Sequence, residues 1–172
     1  MTAKKFAIIL VEGETEKALF NDFKTLLGYP IKKIVIANLW NVSIKKLMPS
    51  LTEKSDILVV YDTDRIQNID RFKENINLLK SKKHVIHLFQ QTDNFEGELA
   101  FACGISNHRL YSCFCPKIIS ADNFKSEFIA LRNRLTKLDS LNMNKTLLWN
   151  RGLIPQLAEF NPHNSSHNIY FP

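Results

Sequence analysis

Two apolar runs of this chain end abruptly in acid. Lys5 to Glu16, KFAIILVEGETE, passes from β-branched residues into Glu12 and Glu16, and Asp56 to Arg65, DILVVYDTDR, closes on Asp62 and Asp64. If Glu12, Asp62 and Asp64 met at ~4 Å, each like-charge pair would cost about 1 kcal/mol in water and about 4 kcal/mol at an effective dielectric near 20. Such a cluster needs compensation, from lysine and arginine or from a hard divalent cation. Oxygen-only donors without a neighbouring histidine cluster suit Mg²⁺ or Mn²⁺ better than zinc. The D-x-D spacing supports shared use, because side chains two apart in an extended segment point the same way. Aspartates at strand exits also form turns by bonding their own backbone, so it is the pairing with Glu12 that points to a cation.

The elements that must position these acids alternate between strand and helix. Lys5 to Val11 reads as a strand, apolar enough to be buried on both faces as in a parallel sheet. Gly13 permits a tight turn, and Ala18, Leu19, Phe23, Leu26 and Leu27 recur at helical spacing before Gly28 and Pro30. Lys33–Trp40 reads as a second strand and Ser43–Leu51 as a short helix containing Pro49. Asp56–Tyr61 is a third strand, Asn68–Lys83 an amphipathic helix lined by Ile69, Phe72, Ile76 and Leu79, and His84–Gln90 a fourth strand. Right-handed crossovers and a mainly parallel sheet follow, with the ligand crevice outside the strands' carboxyl ends. Thr92–Cys103 is expected to be a loop entering a helix that carries Glu96 and Glu98. A fifth strand is expected around Tyr111–Phe114, a continuous helix over Ser120–Leu138 and partial helix over Leu147–Phe160. The tail from Asn161 to Pro172 is expected to be loosely held.

The 172 residues, 45% of them hydrophobic, suit one domain: a core over 5–103, a helical extension over 117–160 and a tail over 161–172. Twenty-three Lys and Arg against 17 Asp and Glu give a formal charge of +6, which favours a polyanionic partner. The chain has no long apolar run and no signal-peptide pattern, which predicts a cytoplasmic protein without a membrane span. Cys103, Cys113 and Cys115 could join His108 in a metal cluster, but the C-x-C spacing is not that of a zinc knuckle, and buried free thiols are the simpler reading.

The segments ILVEGETEKALF and LVVYDTDR together resemble the Toprim domain shared by topoisomerases, bacterial primases and a group of nucleases. The VEG-x-TE opening is similar to that of the nuclease branch, the OLD-family and RloB-like proteins of phage defence. DNFEGELA resembles the acidic, apolar segment after the fourth strand of those proteins. The resemblance covers Lys5 to Cys103 and implies a Rossmann-like α/β fold. It implies Glu12 as a general acid or base or a metal ligand, Asp62 and Asp64 as metal-binding aspartates, Glu16 as a second acid and Glu96 as a further ligand. Glu16 and Glu96 are equally suited to the first turn of a helix, where negative charge is favoured. Topoisomerase-type motifs often place glycine soon after D-x-D, whereas Arg65-Ile66-Gln67 follows here, which favours the nuclease branch.

The expectation is therefore a Mg²⁺- or Mn²⁺-dependent endonuclease acting on DNA or RNA. Arg65 could meet a phosphate or neutralise the acids. Lys145 and Arg151 could contact nucleic acid and stabilise transition-state charge, or be ordinary surface charge. OLD-type nucleases carry an ATPase in the same chain; no G-x-x-x-x-G-K-[ST] loop occurs here, so a separately encoded ATPase is a candidate partner. Two rivals stand beside this reading. One is a non-catalytic, basic Toprim-like module. The other is a receiver-type phosphotransfer domain, which would need a lysine closing a late strand where this chain has Gln-Gln-Thr.

Overall fold

The computed structural model describes residues 6–27, 30–51 and 55–164. It is an α/β fold with a four-stranded, all-parallel sheet flanked by helices, consistent with a Rossmann-like architecture. The strands are β1 (Ala7–Val11), β2 (Ile31–Ile36), β3 (Asp56–Asp62) and β4 (Val85–Gln91), in the order β2-β1-β3-β4. The two acid-terminated strands are therefore immediate neighbours at the centre, with Leu10 beside Val59. β1 and the first six residues of β3 are buried on both faces, which is why their sequences read as continuous apolar runs rather than alternating ones.

Strand parity divides the core in two. Ala7, Ile9, Val11, Leu58 and Val60 pack against α1 (Glu14–Phe23) and the C-terminal helices. Ile8, Leu10, Ile57, Val59 and Tyr61 face α2 (Ile69–Ser81) and Trp40. α3 (Phe95–Cys103) begins directly after β4, and α1 directly after β1. Both helices thus present their first turns at the carboxyl end of the sheet.

Several expected boundaries move. The second strand is Ile31–Ile36 rather than Lys33–Trp40. Beyond it Asn38 and Trp40 lie in a loop held by Asn75, which accepts from Ile44 N–H at 2.9 Å and donates to the carbonyls of Leu39 and Val42. Ser43–Leu51 is two short 3-10 turns instead of a helix, the second containing Pro49. The first helix ends at Phe23, and Gly28, expected to end it, lies outside the described residues. The tail is docked at its start: Pro155–His163 is a 3-10 helix and Asn164 bridges to Leu88 of β4, while 165–172 lie outside the described residues.

The expected fifth strand is a helix, α4 (Asn107–Phe114), capped by Ser106 and burying Leu110 and Phe114. Its aromatic residues suit a strand locally, but packing of Phe114 against Phe124 and Phe128 decides the outcome. The expected long helix over Ser120–Leu138 is two helices, α5 (Ala121–Ala130) and α6 (Arg134–Ser140). Arg134 causes the break to be stable. Its guanidinium donates to the carbonyls of Phe128, Ile129 and Leu131, satisfying the end of α5, and pairs with Asp22 of α1 at 2.7 and 3.0 Å. No such partner is legible from helical periodicity.

Removing one member of a mostly buried, hydrogen-bonded ion pair leaves the other charge uncompensated. Arg134→Met should therefore lower unfolding stability by about 3 kcal/mol in urea titrations. A change within 0.5 kcal/mol of zero would mean that the pair is as weak as an exposed one.

Candidate functional site: an acidic rim at the strand ends

The carboxyl ends of β1 and β3 bring the predicted acids together. Glu12 follows β1 and is fixed at both oxygens: Asp62 N–H donates to Oε1 at 3.3 Å and Asn38 Nδ2 to Oε2 at 3.1 Å. Trp40 lies beside it and donates its Nε1–H to the Asp62 carbonyl at 3.0 Å. Asp62, with the parity of Leu58 and Val60, stands on the side of the sheet that faces α1. Its Oδ1 is buried and has no hydrogen-bond partner among the described residues.

Glu16 and Glu96 enter the same space from the first turns of α1 and α3. They are only 3% and 2% exposed. Glu16 folds back towards its own helix start, where Thr15 Oγ1 donates to Oε2 at 3.0 Å. Gly13 leaves room for that carboxylate: a Cβ there would stand 3.1 Å from Glu16 Oε2 and press it aside. Asp64 is exposed at the outer edge and acts electrostatically on both Glu12 and Asp62.

The electrostatics record this crowding. Burial foremost, then Glu16 and Asp64, pushes the Glu12 carboxyl up to about 7. Asp62 is pushed up to about 9, by burial first and then by Glu16, Glu12, Asp64 and Glu96. Glu16 is raised by burial, with Glu96 adding to the effect. Five carboxylates thus repel one another across one rim. The counter-charge is a residue that the sequence reading missed, Lys125 of α5, whose Nζ lies 3.3 Å from Glu96 Oε1. Burial alone would lower its pKa, but Glu96, Asp62 and Glu16 reverse the direction. Its only sequence signal was a lysine on a helix some sixty residues from the D-x-D, which no local pattern separates from surface charge.

The other predicted residues lie elsewhere. Glu98 is buried outside the acidic set, accepting from Trp149 N–H at 2.6 Å, Thr92 N–H at 3.3 Å and the Arg151 guanidinium. Arg151 is thereby committed to Glu98 and lies 4.3 Å over the Phe101 ring. Lys145 pairs with Asp139 at 3.1 Å. Arg65 is exposed directly after Asp64. The cysteines are free, and Cys103 and Cys115 belong to the apolar core, where burial pushes the Cys103 thiol up to about 11.

Oxygen-only donors, a buried Asp62 oxygen without a partner among the described residues and repulsion that one lysine offsets only in part fit a hard divalent cation in charge and chemistry. Among the described residues, no group of three or more His, Cys, Asp or Glu side chains is assembled to hold a metal ion. Among the described residues, no helix is long and apolar enough to cross a membrane. No protein-family model, curated protein or solved structure matches the chain.

A carboxyl whose folded pKa is raised binds its proton more tightly when folded than when unfolded, so its contribution to stability falls as pH rises between the two values. Here the window runs from the ordinary values of 4.5 and 3.8 up to about 7 for Glu12 and about 9 for Asp62. In chelator, the melting temperature should fall between about pH 5 and pH 9, and Asp62→Asn should flatten that decline and raise the melting temperature at pH 8. Differential scanning calorimetry across this range checks it; an unchanged slope in Asp62→Asn would show that the rim is already neutralised.

Proposed function

We propose that this chain is a Mg²⁺- or Mn²⁺-dependent nuclease of Toprim type that hydrolyses phosphodiester bonds of DNA or RNA, in the cytoplasm and in the setting of phage defence. The observation that carries the reading is the convergence of Glu12, Glu16, Asp62 and Glu96 on one rim of a parallel sheet, with Asp64 at its edge. Their order along the chain is that of the Toprim-like motifs. The net charge of +6 is compatible with a polyanionic substrate despite this acidic rim.

Asp62, Asp64 and Glu16 are the residues that would hold the cation, with Glu96 at its border. When bound, such an ion supplies a more acidic water and neutralises charge developing on the phosphate. Glu12 has the proton affinity of a group that exchanges protons near pH 7, and its two hydrogen bonds hold the carboxylate in one orientation. It takes the proton from the attacking water. Lys125 is half exposed and lies at the same rim, placed to donate to a phosphate oxygen once the strand is bound. Arg65, at the outer edge, contributes charge for the backbone of the nucleic acid. Arg151 and Lys145 have weaker standing in this role because each is paired with an acid away from the rim, whereas the partner of Lys125, Glu96, is itself a rim acid.

One observation favours the second reading, a non-catalytic Toprim-like module that binds nucleic acid or docks on a separately encoded ATPase. The carboxylates are gathered but not closed into a coordination group. Incubation with labelled DNA and RNA, with and without Mg²⁺ or Mn²⁺, separates the two. The nuclease reading expects metal-dependent cleavage that Glu12→Gln and Asp62→Asn abolish with the fold retained, and a loss of about 100-fold in Lys125→Met. Binding that survives all three substitutions, with no cleavage by the unsubstituted protein under any divalent ion, supports the module.

A further inference from the structure

We infer that Thr63, the middle residue of the D-x-D segment, is a positioning residue that locks the two metal-binding aspartates to the loop after β4; the inference rests on the cation site proposed above. Four hydrogen bonds make the lock. The N–H groups of Thr63 and Asp64 both donate to the Asp93 carbonyl, at 2.8 and 2.7 Å. In return, Asp93 N–H donates to Thr63 Oγ1 at 2.9 Å, and that hydroxyl donates to the Gln91 carbonyl at 3.1 Å. The threonine side chain thus accepts and donates at once, bridging two residues of the neighbouring segment.

The Asp93 carbonyl, with two lone pairs, receives both amides, and the Asp93 backbone lies in the left-handed region at φ 68. Aspartate tolerates that conformation better than most residues. The receiving loop is itself anchored. Thr92 N–H donates to buried Glu98, which also holds Trp149 N–H and Arg151. Trp149 in turn stacks on Phe20 at 5.0 Å. A continuous set of contacts therefore runs from α1 and the C-terminal segment through Glu98 and Asp93 to the backbone of Asp62 and Asp64.

The Thr63 hydroxyl is the replaceable link in this set. Asp62 is the last residue of β3 and Asp64 lies beyond it, so without the hydroxyl the segment keeps its two backbone hydrogen bonds to the Asp93 carbonyl but loses the side-chain bridge to Gln91 and Asp93 N–H. Outer partners that orient metal-binding side chains typically change metal affinity 10- to 100-fold when removed. Thr63→Val keeps the shape and leaves Asp93 N–H and the Gln91 carbonyl without their partner; Thr63→Ser keeps the hydroxyl.

Mn²⁺ titration of the full chain, by calorimetry and by the metal-induced shift in melting temperature, tests the inference without reference to turnover. Thr63→Val should bind Mn²⁺ about 10-fold or more weakly, with Thr63→Ser restoring affinity to about that of the unsubstituted protein. Thr63→Ala, which removes the same hydroxyl without valine's second methyl, should behave as Thr63→Val does and covers the case in which the valine variant fails to fold. If both variants bind Mn²⁺ as tightly as the unsubstituted protein, Thr63 positions nothing and the cation site stands. If the unsubstituted protein takes up no Mn²⁺, the cation site falls and this inference falls with it.

Discussion

Carboxylates repel one another most strongly where water is scarce, and the rim of this sheet places four of them, Glu12, Glu16, Asp62 and Glu96, in that situation, with Asp64 exposed at its edge. Burial contributes the largest part of the rise in Glu12 and Asp62, and mutual repulsion adds to it. Such an arrangement cannot arise from a preference for stability alone. The apolar sheet and its two flanking cores must hold the acids in place against their own charge. Everything else about the rim can be understood as a response to that constraint: helix N-termini that bring partial positive charge, one lysine, and hydrogen bonds that fix individual oxygens.

The sheet order matters more than any single residue. With β1 beside β3, the residues that follow two central strands become neighbours although fifty positions separate them. The helices that follow β1 and β4 then start at the same rim, which brings Glu16 and Glu96 to Asp62 by topology rather than by local design. The loop bearing Asn38 and Trp40 closes the other side, and Asn75 keeps that loop in place from within the second core.

The C-terminal helices are part of the site rather than an appendage. Lys125 comes from α5, whose Phe124 and Phe128 are buried in the core beneath α1 and α3. Arg134 ties the end of α5 to α1 through Asp22. The lysine is thus carried on an element fixed at both its face and its end. Glu98, beside Glu96 in sequence, turns instead to the 149–151 segment, so two acids of one helical turn serve different structures.

The sequence alone determined the parallel α/β plan and the identity of the rim acids, because a strand buried on both faces has to be apolar throughout and a carboxylate at its end interrupts that pattern visibly. Glu12, Asp62 and Asp64 were legible for this reason, whereas Glu16 and Glu96 were singled out only by the resemblance of their motifs, since an acid in the first turn of a helix is otherwise ordinary. Tertiary structure decided what periodicity cannot carry. Whether Tyr111–Phe114 is strand or helix depended on aromatic neighbours from another helix. The break after Ala130 is held by an arginine whose partners include an acid more than a hundred positions away. Arg151 is committed to Glu98 and Lys125, which the sequence reading missed, lies at the rim for the same reason: a charged side chain in a sequence shows its sign, and only the folded chain shows which opposite charge lies within reach of it.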